Sequence, residues 1–381
     1  MKEIPSQLTH KLNTRKSENG LRALTISDLS VDFASNDYLG LARSEKLASL
    51  IAENFLKVKH QHLNGSTGSR LLTGNTSFAE AVEQRLAKFF QSESALLFNS
   101  GYTANLAVLS AIPQRGDTII YDELSHACIK DGARLSMANR FAFRHNDLED
   151  LKLKLGKATG DIYIVVESIY SMDGDESPLK EIVDLAGLYN AYIIIDEAHS
   201  TGVCGNYGEG FCIAQGVAED IFIRIHTFGK GMGIHGACVV GDTQVKDYLI
   251  NFARSFIYTT ALDPHSLVAI DAAFSFLKTN TYLIDDLNKA IDLFVSTYYG
   301  HTEAGMMLRT ASNSAIQGLI IPGNERVKAV ANRLAEQGYD ARPILSPTVK
   351  PGQERLRICL HAYNTKSEIE GLIQSLVEII E

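Results

Sequence analysis

A lysine set between glycines is the first pattern in this chain that suggests chemistry. Thr227-Phe228-Gly229-Lys230-Gly231-Met232-Gly233 follows an apolar run, Ile221–Ile225, that reads as a buried strand. A surface lysine has no use for glycine on both sides. A Schiff-base lysine does, because the group it binds must come close to the backbone. A solvated loop lysine is the commoner fate of Lys, but the glycines and the position weigh towards function. Thirty-four residues earlier, Tyr192-Ile193-Ile194-Ile195 runs into Asp196-Glu197-Ala198-His199. An acid at the exit of a buried strand faces the crevice where open α/β sheets bind ligands. His199 is close enough to touch the same bound ring. The competing reading, that Asp196 caps the next turn and His199 is a satisfied loop histidine, has equal weight when the segment is taken alone.

Two further segments lead into expected helices. Asn99-Ser100-Gly101-Tyr102-Thr103-Ala104-Asn105 precedes an apolar helical run. Small residues at a helix start suit an anion, since free N–H groups and the helix dipole both favour phosphate there. Plain N-capping by Ser100 explains the same residues. Leu124-Ser125-His126 follows the strand Thr118–Tyr121 and enters a helix, which puts His126 at the crevice edge. A lone histidine is more often structural. Gly231-Met232-Gly233-Ile234-His235-Gly236 matches the dinucleotide fingerprint literally, but it leads into a strand, Ala237-Cys238-Val239-Val240, instead of opening a helix. Nicotinamide binding is rejected on that context.

The remaining histidines do not suggest a metal site. His60 and His62 are two apart and point to different faces of a helix end. His10, His145, His226, His265, His301 and His361 lack ligand-spaced acidic or Cys partners. The five cysteines, Cys128, Cys204, Cys212, Cys238 and Cys359, form no C-x-x-C pair, so neither a zinc ribbon nor a disulfide framework is indicated.

The elements that must position these residues alternate. Further strands are expected at Arg140–Phe143, Ile162–Glu167, Ala191–Asp196 and Ala237–Gly241, with helices at Ser77–Phe90, Thr103–Ile112, Ala127–Met137, Asp147–Leu155 and Pro178–Tyr189. Ser77-Phe78-Ala79-Glu80 fits a capping box, and Pro178 fits a first helical turn. Apolar strands separated by helices imply a mostly parallel sheet covered on both faces. Helical patterns dominate from Gln244 to about Thr297. A small α/β unit follows, with strands near Ala315–Ile321 and Arg355–Leu360 and a helix over Glu325–Gln337. The expected organisation is an N-terminal arm (1–42) packing with a small domain (286–381), and a large domain (43–285).

Composition narrows the function classes. With 36 Lys and Arg against 45 Asp and Glu, the net charge is −9, which argues against a nucleic-acid or membrane-surface protein. Hydrophobic residues at 45% and charged residues at 21% are those of a globular chain. No apolar h-region opens the sequence and no run approaches a membrane span, so the expectation is a cytoplasmic protein with reduced thiols.

The constellation of Lys230, Asp196, an anion-suited helix start and a crevice histidine is what a pyridoxal 5′-phosphate (PLP) site requires: an amine, a carboxylate for the ring nitrogen and a phosphate cup. At this point the sequence resembles the α-oxoamine synthases, class II aminotransferase-like PLP enzymes of fold type I. The matching stretches are Phe33-Ala34-Ser35-Asn36-Asp37-Tyr38-Leu39-Gly40-Leu41, Gly65-Ser66-Thr67-Gly68-Ser69-Arg70-Leu71, Ser100–Asn105, Leu124–Ala127, Ser171-Met172-Asp173-Gly174-Asp175, Asp196–Gly202, Thr227–Gly231 and Arg355-Leu356-Arg357. The resemblance is strongest to the branch that condenses L-alanine with pimeloyl-CoA or pimeloyl-acyl carrier protein. It implies a PLP-dependent transferase fold, α/β, with a mostly parallel sheet in the large domain and a small α/β C-terminal domain. It also implies an acyltransferase working as a homodimer with shared active sites.

The same resemblance assigns roles. Lys230 binds the cofactor and moves the substrate's α-proton. Asp196 pairs with the ring nitrogen, His126 stacks on the ring, and His199, with Ser171 close by, holds the phenolic oxygen. Thr227, the backbone of Gly101 and Tyr102, and Thr260 from a second subunit hold the phosphate. Arg355 grips the amino-acid carboxylate, a task suited to a planar guanidinium. Asn36 and Glu167 lie around the substrate, and Arg22 loosely matches an acyl-binding arginine. Two positions depart from the pattern. Ala79 stands where the family often carries His, and His235 stands where it usually has a small residue. His235 either alters access to the lysine or is an ordinary surface-loop residue. A sister activity, 2-amino-3-ketobutyrate CoA ligase using glycine and acetyl-CoA, is the alternative. Its lysine loop usually begins Thr-Leu-Gly-Lys, where this chain has Thr227-Phe228-Gly229-Lys230.

Overall fold

A computed structural model of the chain describes residues 3–24, 26, 31–58, 63–301 and 308–380. His60 and His62 lie outside the described residues. The chain forms two compact units. The larger comprises Asn36–Ser171 and Glu176–Asp285; the smaller comprises Met1–Ser35, Met172–Asp175 and Asp286–Glu381.

In the larger unit, a seven-stranded sheet runs from edge to edge as Ser94–Phe98, Ala237–Gly241, Ile223–Thr227, Tyr192–Asp196, Ile162–Glu167, Thr118–Asp122 and Asn139–Phe143. Only Ala237–Gly241 runs against its neighbours. The other neighbouring pairs are parallel, so they need crossover helices that cover the sheet. The burial pattern shows why the central strands Ile162–Glu167 and Tyr192–Asp196 are largely apolar. Ile194, Val165 and Ile223 pack on one face with the helices Gly101–Ala111 and Ala127–Leu135. Their chain neighbours Ile193, Ile195, Ile164 and Val166 pack on the other face with the helices Leu148–Leu155 and Leu179–Tyr189. A period of two along a strand with both faces dry tolerates a polar side chain only with a partner: buried Arg224 donates to the Phe90 carbonyl at 2.6 Å, and His226 Nδ1 lies 2.9 Å from the Thr201 hydroxyl.

Several elements differ from the sequence reading. The strand expected at Ile221–Ile225 occupies Ile223–Thr227, so Thr227 ends the strand and does not follow it. The helix Ser77–Phe89 is capped by Thr76, whose hydroxyl accepts the Ala79 amide at 3.1 Å, in place of a box begun by Ser77. Glu80 reaches out to the Asn75 side chain at 2.7 Å. Pro178 holds the cap position of its helix, one residue before the first turn. The edge strand Ser94–Phe98 and the helix Glu45–Lys57 were not anticipated.

The smaller unit has a three-stranded antiparallel sheet ordered Arg342–Ile344, Arg355–Cys359, Ile316–Ile320. Val31–Asp32 pairs in parallel with Tyr339–Asp340. Residues 172–175 join this unit because Gly174 lies flat against it. A Cβ on Gly174 would sit 2.1 Å from the Ile316 carbonyl oxygen.

A buried carboxylate ties three elements of the larger unit. Glu83, only 1% exposed, accepts Arg70 Nη1 at 2.6 Å, Lys246 Nζ at 2.9 Å and the Leu97 amide at 3.0 Å. Its removal strands two cations and a backbone donor. Glu83→Ala is therefore expected to lower unfolding stability by roughly 3 kcal/mol, with Glu83→Gln losing less, as read from urea unfolding. Equal small losses for both variants would refute this account.

Candidate active site

The site residues of the larger unit cluster where strands end. Lys230 sits in a tight loop between Ile223–Thr227 and Ala237–Gly241. The loop is closed by Phe228 N–H donating to the Gly236 carbonyl at 2.9 Å and Gly233 N–H donating to the Lys230 carbonyl at 2.8 Å. The two flanking glycines are not equivalent. A Cβ on Gly231 would meet the Thr201 carbonyl oxygen at 2.7 Å, whereas one on Gly229 would find nothing closer than 3.8 Å. Gly231 is thus required by packing, and Gly229 leaves open space beside the lysine.

Lys230 heads a chain of polar contacts. Its Nζ is 2.8 Å from His199 Nε2, and His199 Nδ1 is 2.7 Å from the Tyr38 hydroxyl. Tyr38 donates its one hydroxyl hydrogen to Asn36 Oδ1 at 3.0 Å. The two ring nitrogens of His199 thus bridge Lys230 and Tyr38. Tyr38 and His199 are both buried. The sequence reading named Asn36 and His199 but missed Tyr38, which joins them.

Asp196 ends its strand buried. Its Oδ2 accepts Asn105 Nδ2 at 2.8 Å and its Oδ1 accepts the Ala198 amide at 2.9 Å. It does cap the next turn, and it also lies within the field of Lys230. Burial raises its pKa, while Lys230 and the Asn105 bond pull the other way. Asn105 projects from the helix Gly101–Ala111, whose cap Ser100 accepts the Thr103 amide at 3.3 Å. The first two amides of that helix, Gly101 and Tyr102, have no acceptor among the described residues, as helix starts leave them. Thr227 lies directly over this turn: a Cβ on Gly101 would fall 2.0 Å from Thr227 Oγ1.

Glu167 and Asp196 are register partners on adjacent parallel strands. Glu167 Oε1 accepts the His126 backbone amide at 2.5 Å. Burial, then the neighbouring Asp196 carboxylate, push the Glu167 pKa up to about 8. His126 is N-cap of the helix Ala127–Leu135, its ring turned back onto the Cys128 amide. The surrounding protein, then Lys230, lower its pKa.

Other expected residues are more peripheral. Tyr102 is exposed and its hydroxyl donates to Asp131. Thr260 is exposed, and its carbonyl accepts Asn99 Nδ2 at 3.0 Å. Ser171 is half-buried after the Glu167 strand, His235 is exposed on the lysine loop, and Ala79 is core. In the smaller unit, Arg355 is buried and its guanidinium pairs with Asp173. Its Nε also donates to the Gln353 carbonyl at 3.0 Å. Arg22 donates to the Thr348 hydroxyl at 3.0 Å. Among the described residues, no group of three or more His, Cys, Asp or Glu could hold a metal ion, and no helix is long and apolar enough to cross a membrane.

The class I and II aminotransferase family pattern matches residues 30–376. A relative from Emericella nidulans, 8-amino-7-oxononanoate synthase, is 40% identical over 98% of this chain and 95% of its own. This chain belongs to the 8-amino-7-oxononanoate synthase family. Solved relatives agree with the fold-type-I architecture. An 8-amino-7-oxononanoate synthase from Francisella tularensis superposes with a TM-score of 0.78 at 28% identity, covering 93% of this chain and 98% of that one. A serine palmitoyltransferase from S. paucimobilis, solved with bound PLP–myriocin aldimine, gives 0.88 at 25%, covering 99% and 98%. Membership makes the chain an acyltransferase-type enzyme.

The residues present fit PLP. The larger unit supplies an amine, a buried carboxylate suited to a protonated ring nitrogen, and two orphan amides beside a hydroxyl for phosphate.

Glu167 gives a testable pH effect. A carboxyl whose folded pKa is raised from 4.5 to about 8 stabilises the fold fully below about pH 4.5. That contribution is lost as pH rises through about 8. Glu167→Gln, which keeps the acceptor oxygen, removes it. In PLP-free protein the Tm difference, native minus variant, is expected to fall from about pH 5 to about pH 8; a constant difference would refute the raised pKa.

Proposed function

We propose that the enzyme condenses L-alanine with a pimeloyl thioester, pimeloyl-CoA or pimeloyl-acyl carrier protein, to give 8-amino-7-oxononanoate, CO2 and free CoA or carrier, in biotin biosynthesis. The observation that carries this reading is the near-full-length similarity to a synthase of that name. The Lys230–His199 contact beside buried Asp196 supports it.

PLP, when bound, supplies an electron sink for negative charge on the substrate's α-carbon. Asp196 would hold its ring nitrogen, His126 would lie against the ring face, and His199 with Ser171 would face the phenolic oxygen. The amides of Gly101 and Tyr102, the Thr227 hydroxyl and Thr260 of a second copy would take the phosphate, which makes a homodimer part of the proposal. Lys230 Nζ removes and returns the proton at the α-carbon. His199 Nε2, 2.8 Å away, orients the amine for that transfer. Asn36 and Glu167 are assigned to the substrate's surroundings. Arg355 is assigned the amino-acid carboxylate, and Arg22 the pimeloyl carboxylate, on their sequence motifs.

PLP-loaded protein is expected to change its absorbance with alanine before glycine or serine, and to form 8-amino-7-oxononanoate when a pimeloyl thioester follows. Lys230→Ala is expected to abolish product. Absence of product from native protein, or unchanged turnover in Lys230→Ala, would overturn the reading.

Gly101 offers a separate test of the phosphate cup. Gly101→Ala forces Thr227 aside and is expected to weaken PLP binding about tenfold in a fluorescence titration. Gly187→Ala, where an added Cβ meets nothing within 4 Å, should leave it unchanged.

A further inference from the structure

His126 caps its helix with its own ring. Nδ1 accepts the Cys128 backbone amide at 3.3 Å, and the Cys128 sulfur lies 2.9 Å from the same nitrogen. A neutral imidazole carries one donor and one acceptor nitrogen. A nitrogen that accepts the Cys128 amide has its lone pair there and no proton. The thiol beside it shares that one lone pair, its S–H forming the second arm of a three-centre contact, and the ring proton resides on Nε2. Two features make this arrangement durable. Cys128 is 2% exposed, so water does not replace its thiol. Burial, then the Asp196 and Glu167 carboxylates, hold the thiol pKa well above its ordinary value, so the S–H donor persists at neutral pH. Glu167 Oε1 grips the His126 backbone amide from the neighbouring strand end, which pins the residue at its Cα as well as at its ring.

We propose that Cys128 is a positioning residue that fixes His126 as the neutral Nε2–H tautomer. The ring face offered to the bound cofactor is then uncharged, and its sole ring donor is Nε2–H. The proposal rests on the reading above only for what His126 faces; the tautomer belongs to the chain itself. Cys128 acts through His126 and touches no reacting atom.

The test is ring 15N NMR on full-length protein labelled in its histidines, with and without PLP, with His126 assigned from a His126→Gln sample. The expected native spectrum shows Nδ1 unprotonated and Nε2 protonated. Cys128→Ala is expected to shift the Nε2–H to Nδ1–H ratio towards unity by roughly two- to tenfold, the weight of one hydrogen bond. Cys128→Ser, which restores an O–H donor, should recover the native ratio. A native His126 with its proton on Nδ1 would overturn the proposal. So would a Cys128→Ala spectrum identical to native. Should Cys128→Ala fail to fold, Cys128→Val, close in size and without an S–H, is read in its place, with the same shift expected and an unchanged ratio overturning the proposal. Failure of native protein to form the alanine–pimeloyl product would count against the assigned reaction alone, because the ring spectrum is read without substrate.

Discussion

Two buried carboxylates at neighbouring strand ends set the terms for everything around them. Glu167 and Asp196 face each other in parallel register, and parallel strands lie only about 4.8 Å apart. Two ionised carboxylates at that range, out of water, repel strongly. The fold relieves the repulsion unequally. Asp196 receives the Asn105 side chain, the Ala198 amide and the field of Lys230. Glu167 shares the field of Lys230 but receives only one backbone amide, and burial beside Asp196 holds its pKa at about 8. Asp196 is therefore the one suited to remain ionised. A carboxylate kept ionised inside a protein is the partner a protonated ring nitrogen needs.

The same economy shapes the backbone. Strand exits turn sharply so that short side chains meet at one place, and the turns require missing side chains. Gly231 lets the lysine loop pass the Thr201 carbonyl, and Gly101 lets Thr227 stand over a helix start. In both cases a glycine is dictated by a neighbour distant in sequence. The glycine beside Lys230 that meets no such neighbour, Gly229, is the one whose space is left for something else.

How far these features could be read from the sequence follows from how local their causes are. The sheet was legible because its inner strands are largely apolar on both faces, a property carried by five or six consecutive residues. Lys230, Asp196 and His126 were legible because each follows such a run directly. The edge strand Ser94–Phe98 was less marked, since Ser94 and the preceding polar residues blur its start. Tyr38 was quoted within a motif but given no role, because its contact with His199 spans 161 positions. Asp173 was likewise quoted without its partner Arg355. Local spacing cannot encode a bond between loops that only the folded sheet brings together. Thr76 in place of Ser77 as a cap is a smaller failure of the same kind: adjacent Thr and Ser both qualify, and backbone geometry chooses between them.

Net charge gains a different meaning from this arrangement. At −9 the chain repels anions globally, yet its proposed substrates and cofactor are anionic. Long-range attraction cannot gather them, because exposed charges are screened beyond about 8 Å at physiological salt. Recognition has to come from short-range donors. Helix-start amides suit this role: they are fixed by the backbone, they carry no ionisable proton, and they do not add to the charge that Glu167 and Asp196 must balance. A lysine placed there would pull both carboxylates towards ionisation and would compete with Lys230 for Asp196. A cup built of amides and a hydroxyl keeps Lys230 the dominant cation in the field of Asp196, and so keeps the amine chemistry and the anion binding electrically separate.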